Sequence, residues 1–379
     1  MQALSSARPP ADRPTLRVPA DALPSGVRPR VSVVVLCYRY GHLVERCVES
    51  ALAQDGVEVE VIVVDDASPD GSGDIVRALG DRDTRVRTFI NPRNKGMIPT
   101  FNDCLPLLSG DFVVKLDADD LLTEGSLMRS TALFSAHPSV ALVYGNAPYF
   151  HDAAPRRVRS ATRDWTVWSG PRWAELVCDG AANVISQPEA MIRRTALDEI
   201  GGLDPALPHT SDLHLWLQLA AAGDVGRING ADQGLYRVHS GSMQRTVNAG
   251  VLLDLAGRLE ALTKALTSPG EAGPDARLQR ARMRLAREAL ALACRTYDRG
   301  RADVAVGELV AFARDAAGTV EDLPEWRGLQ RRMRLGPKLS RWHPGYLLQG
   351  VGRRVRAAAV RRRWRRTGLW TAERTRPTG

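Results

Sequence analysis

Gly110-Asp111-Phe112-Val113-Val114-Lys115-Leu116-Asp117-Ala118-Asp119-Asp120 is the stretch on which the fold turns. A short apolar run passes straight into three carboxylates, with only Ala118 between them. Carboxylates crowded at a strand end repel one another and raise each other's pKa. A divalent cation would explain the crowding, because Mg²⁺ and Mn²⁺ take oxygen ligands from one or two carboxylates together with substrate phosphates. Asp117 and Asp119 lie two apart where the chain leaves the strand, so both can turn toward one ligand. Alone, such a D-x-D pair also reads as a solvated acidic turn. The flanking sequence decides.

Toward the N-terminus, Val31-Ser32-Val33-Val34-Val35-Leu36-Cys37 is a near-continuous β-branched run, as in a strand buried on both faces of a parallel sheet. Gly41 follows, then Leu43, Val44, Cys47, Val48, Ala51 and Leu52 at helical spacing, with Asp55-Gly56 as the stop. A second buried strand over 59–64 closes on Asp65-Asp66, and 67–73 is all turn chemistry. A helix over 74–79, a strand over 86–90, a polar loop over 91–96 and a helix over 99–108, disturbed at Pro106, lead into the Asp-rich strand. This alternation predicts an α/β domain with a doubly wound, mostly parallel sheet flanked by helices. Ligands of such sheets bind beyond the carboxyl ends of the strands. Asp65-Asp66 and the 117–120 cluster both fall there, which suits a nucleotide and a metal.

Toward the C-terminus, 121–136 reads as a helix and 140–144 as a strand. Residues 151–173, polar and irregular with Arg and Trp, are expected to face an acceptor, and the loops over 151–182 to select it. A strand-helix-turn passage runs over 191–204, a helix opens at Ser211-Asp212, and Tyr236-Arg237-Val238-His239-Ser240 closes the globular part. Beyond 249 the chain is Ala-, Leu- and Arg-rich and helical to about 312, interrupted at Ser268-Pro269-Gly270.

Composition bounds the rest. An apolar share of 44% and a charged share of 25% in 379 residues are ordinary for a globular chain with a sizeable core. No run approaches the roughly 18–20 apolar residues of a membrane span. The first 30 residues are proline-rich without an apolar segment and predict a disordered leader, not a secretory signal. Cys37, Cys47, Cys104, Cys178 and Cys294 are scattered, with no C-x-x-C. They predict reduced thiols in a cytoplasmic setting, neither a disulfide framework nor a zinc site. The net charge of +9 is concentrated: 331–379 holds 15 Arg or Lys against Glu373 alone, a formal +14 that leaves −5 for the remainder. The expected divisions are a leader (1–30), the α/β domain (31–249), a helical extension (250–330) and a basic tail (331–379).

Several short motifs follow one another along 31–150 and 186–243: Cys37-Tyr38-Arg39-Tyr40-Gly41, Ser50-Ala51-Leu52-Ala53-Gln54, Val63-Val64-Asp65-Asp66-Ala67-Ser68, Asn94-Lys95-Gly96 with Asn102, Leu116 to Asp120, Gly201-Gly202-Leu203-Asp204, Ser211-Asp212 and Tyr236-Arg237-Val238-His239. Each is unspecific alone, and the order is specific. In that order they resemble a family 2 glycosyltransferase of the GT-A type.

The resemblance implies an inverting, non-processive, metal-dependent enzyme that takes its sugar from a nucleotide-diphosphate donor, with UDP-sugars favoured as the commonest donors of the family. Asp66 would bind base or ribose with Asp65 in support, beside Cys37 and Tyr38; Arg39 stands where relatives often carry Asn. Asp117 would lie near the ribose or donor sugar. Asp119 and His239 would hold Mn²⁺ or Mg²⁺, while Asp120 either binds or orients the loop. Asn102 joins the donor side, Arg237 would sit near the diphosphate, and Lys95 either reaches a phosphate or stays a solvated loop lysine. Asp212 would be the general base for the acceptor hydroxyl, although relatives usually carry Glu-Asp where this chain has Ser211-Asp212.

The implied acceptor is a cell-envelope or lipid-linked glycan. Lys338-Leu339-Ser340-Arg341-Trp342 only partly echoes the Q-x-x-R-W motif of processive relatives and lacks its Gln, so one sugar per encounter is expected. Residues 353–366 hold eight arginines interleaved with Val355, Val360 and Trp364. They predict a partly amphipathic segment on an anionic membrane surface, with Trp342, Tyr346, Leu347, Leu348, Leu369 and Trp370 as anchors, in a protein peripheral to the inner face. A solubilising tail without a partner is the main rival, and nucleic-acid contact the weaker one. A glycoside hydrolase would need no metal or nucleotide crevice. A sugar nucleotidyltransferase would carry a Gly-rich basic loop after its first strand, which 37–42 is not. An inactive membrane-associated scaffold would have no use for Asp66, Asp117, Asp119, Asp212 and His239 together.

Overall fold

The computed structural model describes residues 15–23, 26–151, 157–239, 250–267, 275–302 and 304–370. Contacts divide the chain into two units, Met1–Ala174 with Ile185–Ser242 and Glu175–Val184 with Met243–Gly379.

The strands are β1 (Leu16–Val18), β2 (Arg30–Cys37), β3 (Glu58–Asp65), β4 (Val86–Ile90), β5 (Phe112–Asp117), β6 (Leu121–Leu122), β7 (Val140–Tyr144), β8 (Tyr149–Phe150), β9 (Asp164–Trp168), β10 (Met191–Arg193), β11 (Asp224–Asn229) and β12 (Gly234–Arg237). The helices between them are α1 (Gly41–Leu52), α2 (Ser72–Arg82), α3 (Met97–Cys104), α4 (Ser126–Ala136), α5 (Gly170–Gly180), α6 (Arg194–Ile200) and α7 (Ser211–Ala222). Among the described residues nine strands form one sheet in the order β1-β9-β11-β7-β10-β5-β2-β3-β4, and β6-β12-β8 form a second.

The centre of the large sheet is parallel because β2, β3, β4 and β5 are joined through helices. From Val31 to Cys37 every side chain of β2 is buried, the signature of a strand covered on both faces. Gly110 lets the chain enter β5 against β2, since a Cβ there would meet the Ser32 backbone nitrogen at 2.6 Å. β10 runs antiparallel between β5 and β7, and β9 runs antiparallel to β11.

Several expectations are corrected. Within the leader, Leu16–Val18 is an edge strand on β9, held by backbone pairing with 165–167. Leu121-Leu122 is a strand paired with Gly234 and Leu235, so the helix starts only at Ser126. Within 151–173, residues 157–161 and Arg163 are exposed and irregular as expected, but from Asp164 onward the chain is regular and its Trp side chains are inside: β9 buries Trp165 and Trp168, and Trp173 of α5 is buried too. Residues 152–156 lie outside the described residues. Pro106 does end its helix at Cys104, followed by a 3₁₀ turn over Leu105–Leu107.

The second unit is helical: α8 (Val251–Leu266), α9 (Ala276–Asp298), α10 (Val304–Ala317), α11 (Pro324–Trp342, broken at Gly336-Pro337) and α12 (Pro344–Thr367). Leu278, Ala281, Leu285, Ala289 and Leu290 give α9 its buried face. Extension and tail share this one unit. Arg332 and Arg353 both donate to Asp298, each at 2.7 Å. The indoles of Trp364 and Trp370 donate to the carbonyls of Val184 and Asn183, both at 2.8 Å, and Leu369 is buried. Two of the expected anchors, Leu369 and Trp370, and the interleaved Trp364 are therefore used inside the unit, while the arginines from Arg353 to Arg366 are spread around their helix. No helix of the described residues is long and apolar enough to cross a membrane.

Candidate active site

Strand register brings the acidic ends together. Leu36 of β2 pairs with Asp117 of β5, and Cys37 pairs with Asp65 of β3. The chain leaves β2 and β3 through backbone in the left-handed region, at Arg39 (φ 65°) and Ala67 (φ 57°), and the Arg39 N–H donates to Ser68 Oγ at 2.9 Å.

Asp66 is buried and heavily engaged. Its Oδ1 accepts from Asn91 Nδ2 (2.7 Å), Lys95 N (3.0 Å) and Thr100 Oγ1 (3.1 Å), and its Oδ2 accepts from Gly96 N (2.8 Å). The carboxylate thereby ties the 91–96 loop to the first turn of α3, while Oδ2 retains capacity for a second donor. Asp65 Oδ2 accepts from Ser68 N at 3.0 Å, and its buried Oδ1 has no partner among the described residues.

The D-x-D loop is held from three sides. Lys115 Nζ, buried within β5, donates to Asp117 Oδ1 at 2.7 Å. Asp120 Oδ1 accepts from the Arg237 N–H (2.8 Å), and the Asp119 carbonyl accepts from Arg237 Nε (2.9 Å). Behind the loop Ser50 Oγ accepts from Leu122 N and Gln54 donates to the Thr123 carbonyl, the purpose of the Ser50 to Gln54 motif. Asp119 Oδ2 lies 3.1 Å from His239 Nε2, which also lies 3.2 Å from the Tyr40 hydroxyl. Burial and the neighbouring Asp117 push the Asp119 carboxyl up, and burial with Asp119 and Asp117 pushes Asp120 well up.

Among the described residues no three His, Cys, Asp or Glu side chains gather into a metal cage; Asp119 and His239 offer two donors, as many as Mg²⁺ or Mn²⁺ takes from a protein when substrate phosphates complete its shell. A carboxylate oxygen and an imidazole nitrogen converge, and like charges around them gain from a cation between them. Asp212, second residue of α7, pins its Oδ1 on the Leu213 N–H at 2.7 Å. Its carboxyl is pushed up chiefly by burial; Lys115 acts against the shift and Asp117 with it. Asp212 therefore feels the same charges as the loop.

Four residues expected on the donor are engaged or buried within the chain. Arg237 is buried with its guanidinium over the Phe150 ring (4.3 Å) and Nη1 on the His151 carbonyl (2.8 Å), so it clamps the Asp119 loop to the 150–151 segment. Asn102 exchanges two hydrogen bonds with the Leu203 backbone, at 2.8 and 2.9 Å, where Gly202 (φ 101°) has no room for a Cβ beside it. Lys95 pairs with Asp103 at 2.7 Å. The Cys37 thiol is buried, which pushes it up to about 11, so only its backbone faces the crevice end. Tyr38, by contrast, is exposed there with the Arg39 guanidinium 5.6 Å from its ring. Two residues were missed: Lys115, whose signal was a lone charge inside an apolar strand, and Tyr40 at the N-cap of α1, whose partner His239 is 199 positions away and leaves no local signal.

Residues 32–201 match the sequence profile of glycosyl transferase family 2. A Mycobacterium tuberculosis (strain CDC 1551) protein described as uncharacterized is 32% identical over 213 residues, 51% of this chain and 62% of its own. The GalNAc(5)-diNAcBac-PP-undecaprenol beta-1,3-glucosyltransferase of Campylobacter jejuni is 37% identical over 119 residues, 31% of this chain and 38% of its own. This chain thus spans less than two thirds of either relative. The mannosyltransferase PcManGT of Pyrobaculum calidifontis, solved with GDP-Man and Mn²⁺, superposes with a TM-score of 0.51 at 21% identity over 91% of this chain and 90% of that one. That likeness is one of fold.

Proposed function

From a chain whose residues 32–201 are a family 2 glycosyltransferase domain on a GT-A-like α/β fold, we propose an inverting transfer of one sugar from a nucleotide-diphosphate donor to an acceptor hydroxyl of a cell-envelope or lipid-linked glycan. The observation that carries this is the convergence of Asp119 Oδ2 and His239 Nε2, 3.1 Å apart, at the carboxyl end of the strand that also presents Asp117.

Asp119 and His239 would hold Mn²⁺ or Mg²⁺, which when bound neutralises charge on the departing diphosphate. Asp66, with Asp65 in support, would bind the base or ribose beside Tyr38 and the 91–96 loop that it holds. Asp117, held by Lys115, would face the ribose or donor sugar. Asp212 accepts the acceptor's proton as its oxygen bonds to the anomeric carbon and the bond to the diphosphate breaks. A carboxyl pushed up by burial is the better base for that proton.

The likeness to the GalNAc(5)-diNAcBac-PP-undecaprenol beta-1,3-glucosyltransferase of Campylobacter jejuni supports a lipid-linked acceptor. The GDP-Man and Mn²⁺ bound by PcManGT support a nucleotide-sugar donor and a divalent cation. UDP is the first nucleotide to test, and the site of action is taken as the cytoplasmic face of a membrane.

Calorimetric titration of UDP, GDP and dTDP, with and without Mn²⁺, on wild type and Asp119→Ala decides it. Metal-dependent binding of one nucleotide, lost in the variant, supports the reading. Binding of none overturns it in favour of an inactive scaffold.

A further inference from the structure

Helix α12 is inside-out along its first half. Tyr346, Gln349 and Arg353 turn to the neighbouring helices of the second unit: the Arg332 guanidinium lies 3.8 Å from the Tyr346 ring, Arg332 Nη2 donates to Gln349 Oε1 at 3.0 Å, and Arg353 reaches Asp298. The opposite side is apolar and open. Leu347, Leu348, Val351 and Val355, at i, i+1, i+4 and i+8, are 53–73% exposed. At the end of α11, Leu339 and Trp342 are 66% and 71% exposed. A water-facing helix has the reverse arrangement, and exposed apolar side chains this dense mark an interaction surface.

The charge around the stripe selects its occupant. No Asp or Glu occurs between Arg331 and Trp370. Continued at 3.6 residues per turn, the open face passes from Val355 to Arg362, Arg365 and Arg366, all exposed. Apolar side chains followed on one face by arginines match a surface with an acyl interior and anionic headgroups, where tryptophan also settles. A second copy of the same face would bring like charges together.

We propose that this surface, from Leu339 to Val355 with the arginines that continue it, docks on an anionic lipid bilayer. The proposal deepens the reading of a lipid-linked acceptor and rests on it for its purpose. It also moves the contact from Trp364 and Trp370, which are used within the unit, to a stripe some ten residues earlier.

The test is flotation of the full chain with vesicles of phosphatidylglycerol and phosphatidylcholine, against phosphatidylcholine alone. Wild type floats with the anionic vesicles only, less as salt rises. Leu347→Ser with Leu348→Ser weakens that partition at least ~10-fold, because both lose apolar contact with the acyl region. The same variant binds nucleotide without lipid as wild type does, which excludes misfolding. No flotation with anionic vesicles, or equal flotation of the variant, overturns the proposal. A dimer in sedimentation that the variant abolishes assigns the stripe to a second copy and overturns it too. Flotation without nucleotide binding would leave the docking surface standing and the enzymatic reading fallen.

Discussion

Lys115 Nζ donates to Asp117 Oδ1 at 2.7 Å from inside the central strand, its side chain almost wholly buried while Asp117 is 36% exposed. The lysine is thus the fixed partner, and its charge also opposes protonation of Asp212. Lys115→Met removes both effects. Asp117 can be rehydrated, and Met fills the same volume, so the change in stability stays within about 1 kcal/mol. Catalysis suffers more. The acidic limb of the pH–rate profile moves upward, because Asp212 loses the cation that favoured its charged form. A profile that keeps its shape would reduce Lys115 to a structural residue.

Asp212 separates the role of base from that of an ordinary helix N-terminal aspartate. Asp212→Asn keeps an oxygen acceptor for the Leu213 N–H, so α7 loses little. As the base, its loss lowers kcat by ~10²- to 10⁴-fold with nucleotide affinity unchanged. A residue that only complemented the helix dipole would change kcat by less than ~10-fold. Steady-state kinetics beside the nucleotide titration tell the two apart.

A second buried acid lies away from this loop. Glu189 accepts from the Ser186 N–H at 2.8 Å, and burial pushes its carboxyl up to about 7. The folded chain then binds a proton between the ordinary value of 4.5 and about 7 that the unfolded chain has released. Stability therefore falls as pH rises through that window and is flat above it. Glu189→Gln removes the dependence. Measured by chemical unfolding at pH 5 and pH 8, the difference between variant and wild type shifts toward the variant at the higher pH by on the order of 1–3 kcal/mol. A constant difference would mean that Glu189 stays ionised in the fold.

How far the sequence speaks depends on whether a residue's partners are local. The β-branched run over 31–37 and the Asp-rich end of β5 announce themselves, because burial on both faces and like-charge crowding leave local marks. Asp119 and His239 were paired only through the family resemblance, being 120 positions apart. Arg237, Asn102 and Lys95 read as donor ligands because the family resemblance invites that reading of a cation or amide in its motifs. Their partners, the Asp119 carbonyl, the Leu203 backbone and the Asp103 carboxylate, appear only once the chain is folded. The Trp residues over 151–173 mislead for the same reason: polar neighbours suggested a surface, but Trp165 and Trp168 lie in β9 beside β11, Trp173 lies in α5, and all three are buried. The tail errs the other way, since its composition is legible but the facing of its helix is set by Asp298 and Arg332.

Arg39 stands where the family resemblance implies an Asn. Its φ of 65° lies in the left-handed region, which asparagine enters more readily than a long L side chain does. Its guanidinium is exposed over Tyr38, so little packing would be lost on replacement. Its N–H bond to Ser68 belongs to the backbone and survives any substitution but proline. Arg39→Asn therefore relieves strain and raises the unfolding free energy by about 0.5–1 kcal/mol. If the arginine is retained for the donor, the same variant binds nucleotide more weakly although it is more stable, because a cation is lost beside the base-flanking ring. Thermal unfolding and nucleotide titration on one preparation give both signs. A variant that is more stable and binds equally well leaves Arg39 without a part in donor recognition, and a less stable one would show that the loop, not the residue, sets that backbone angle.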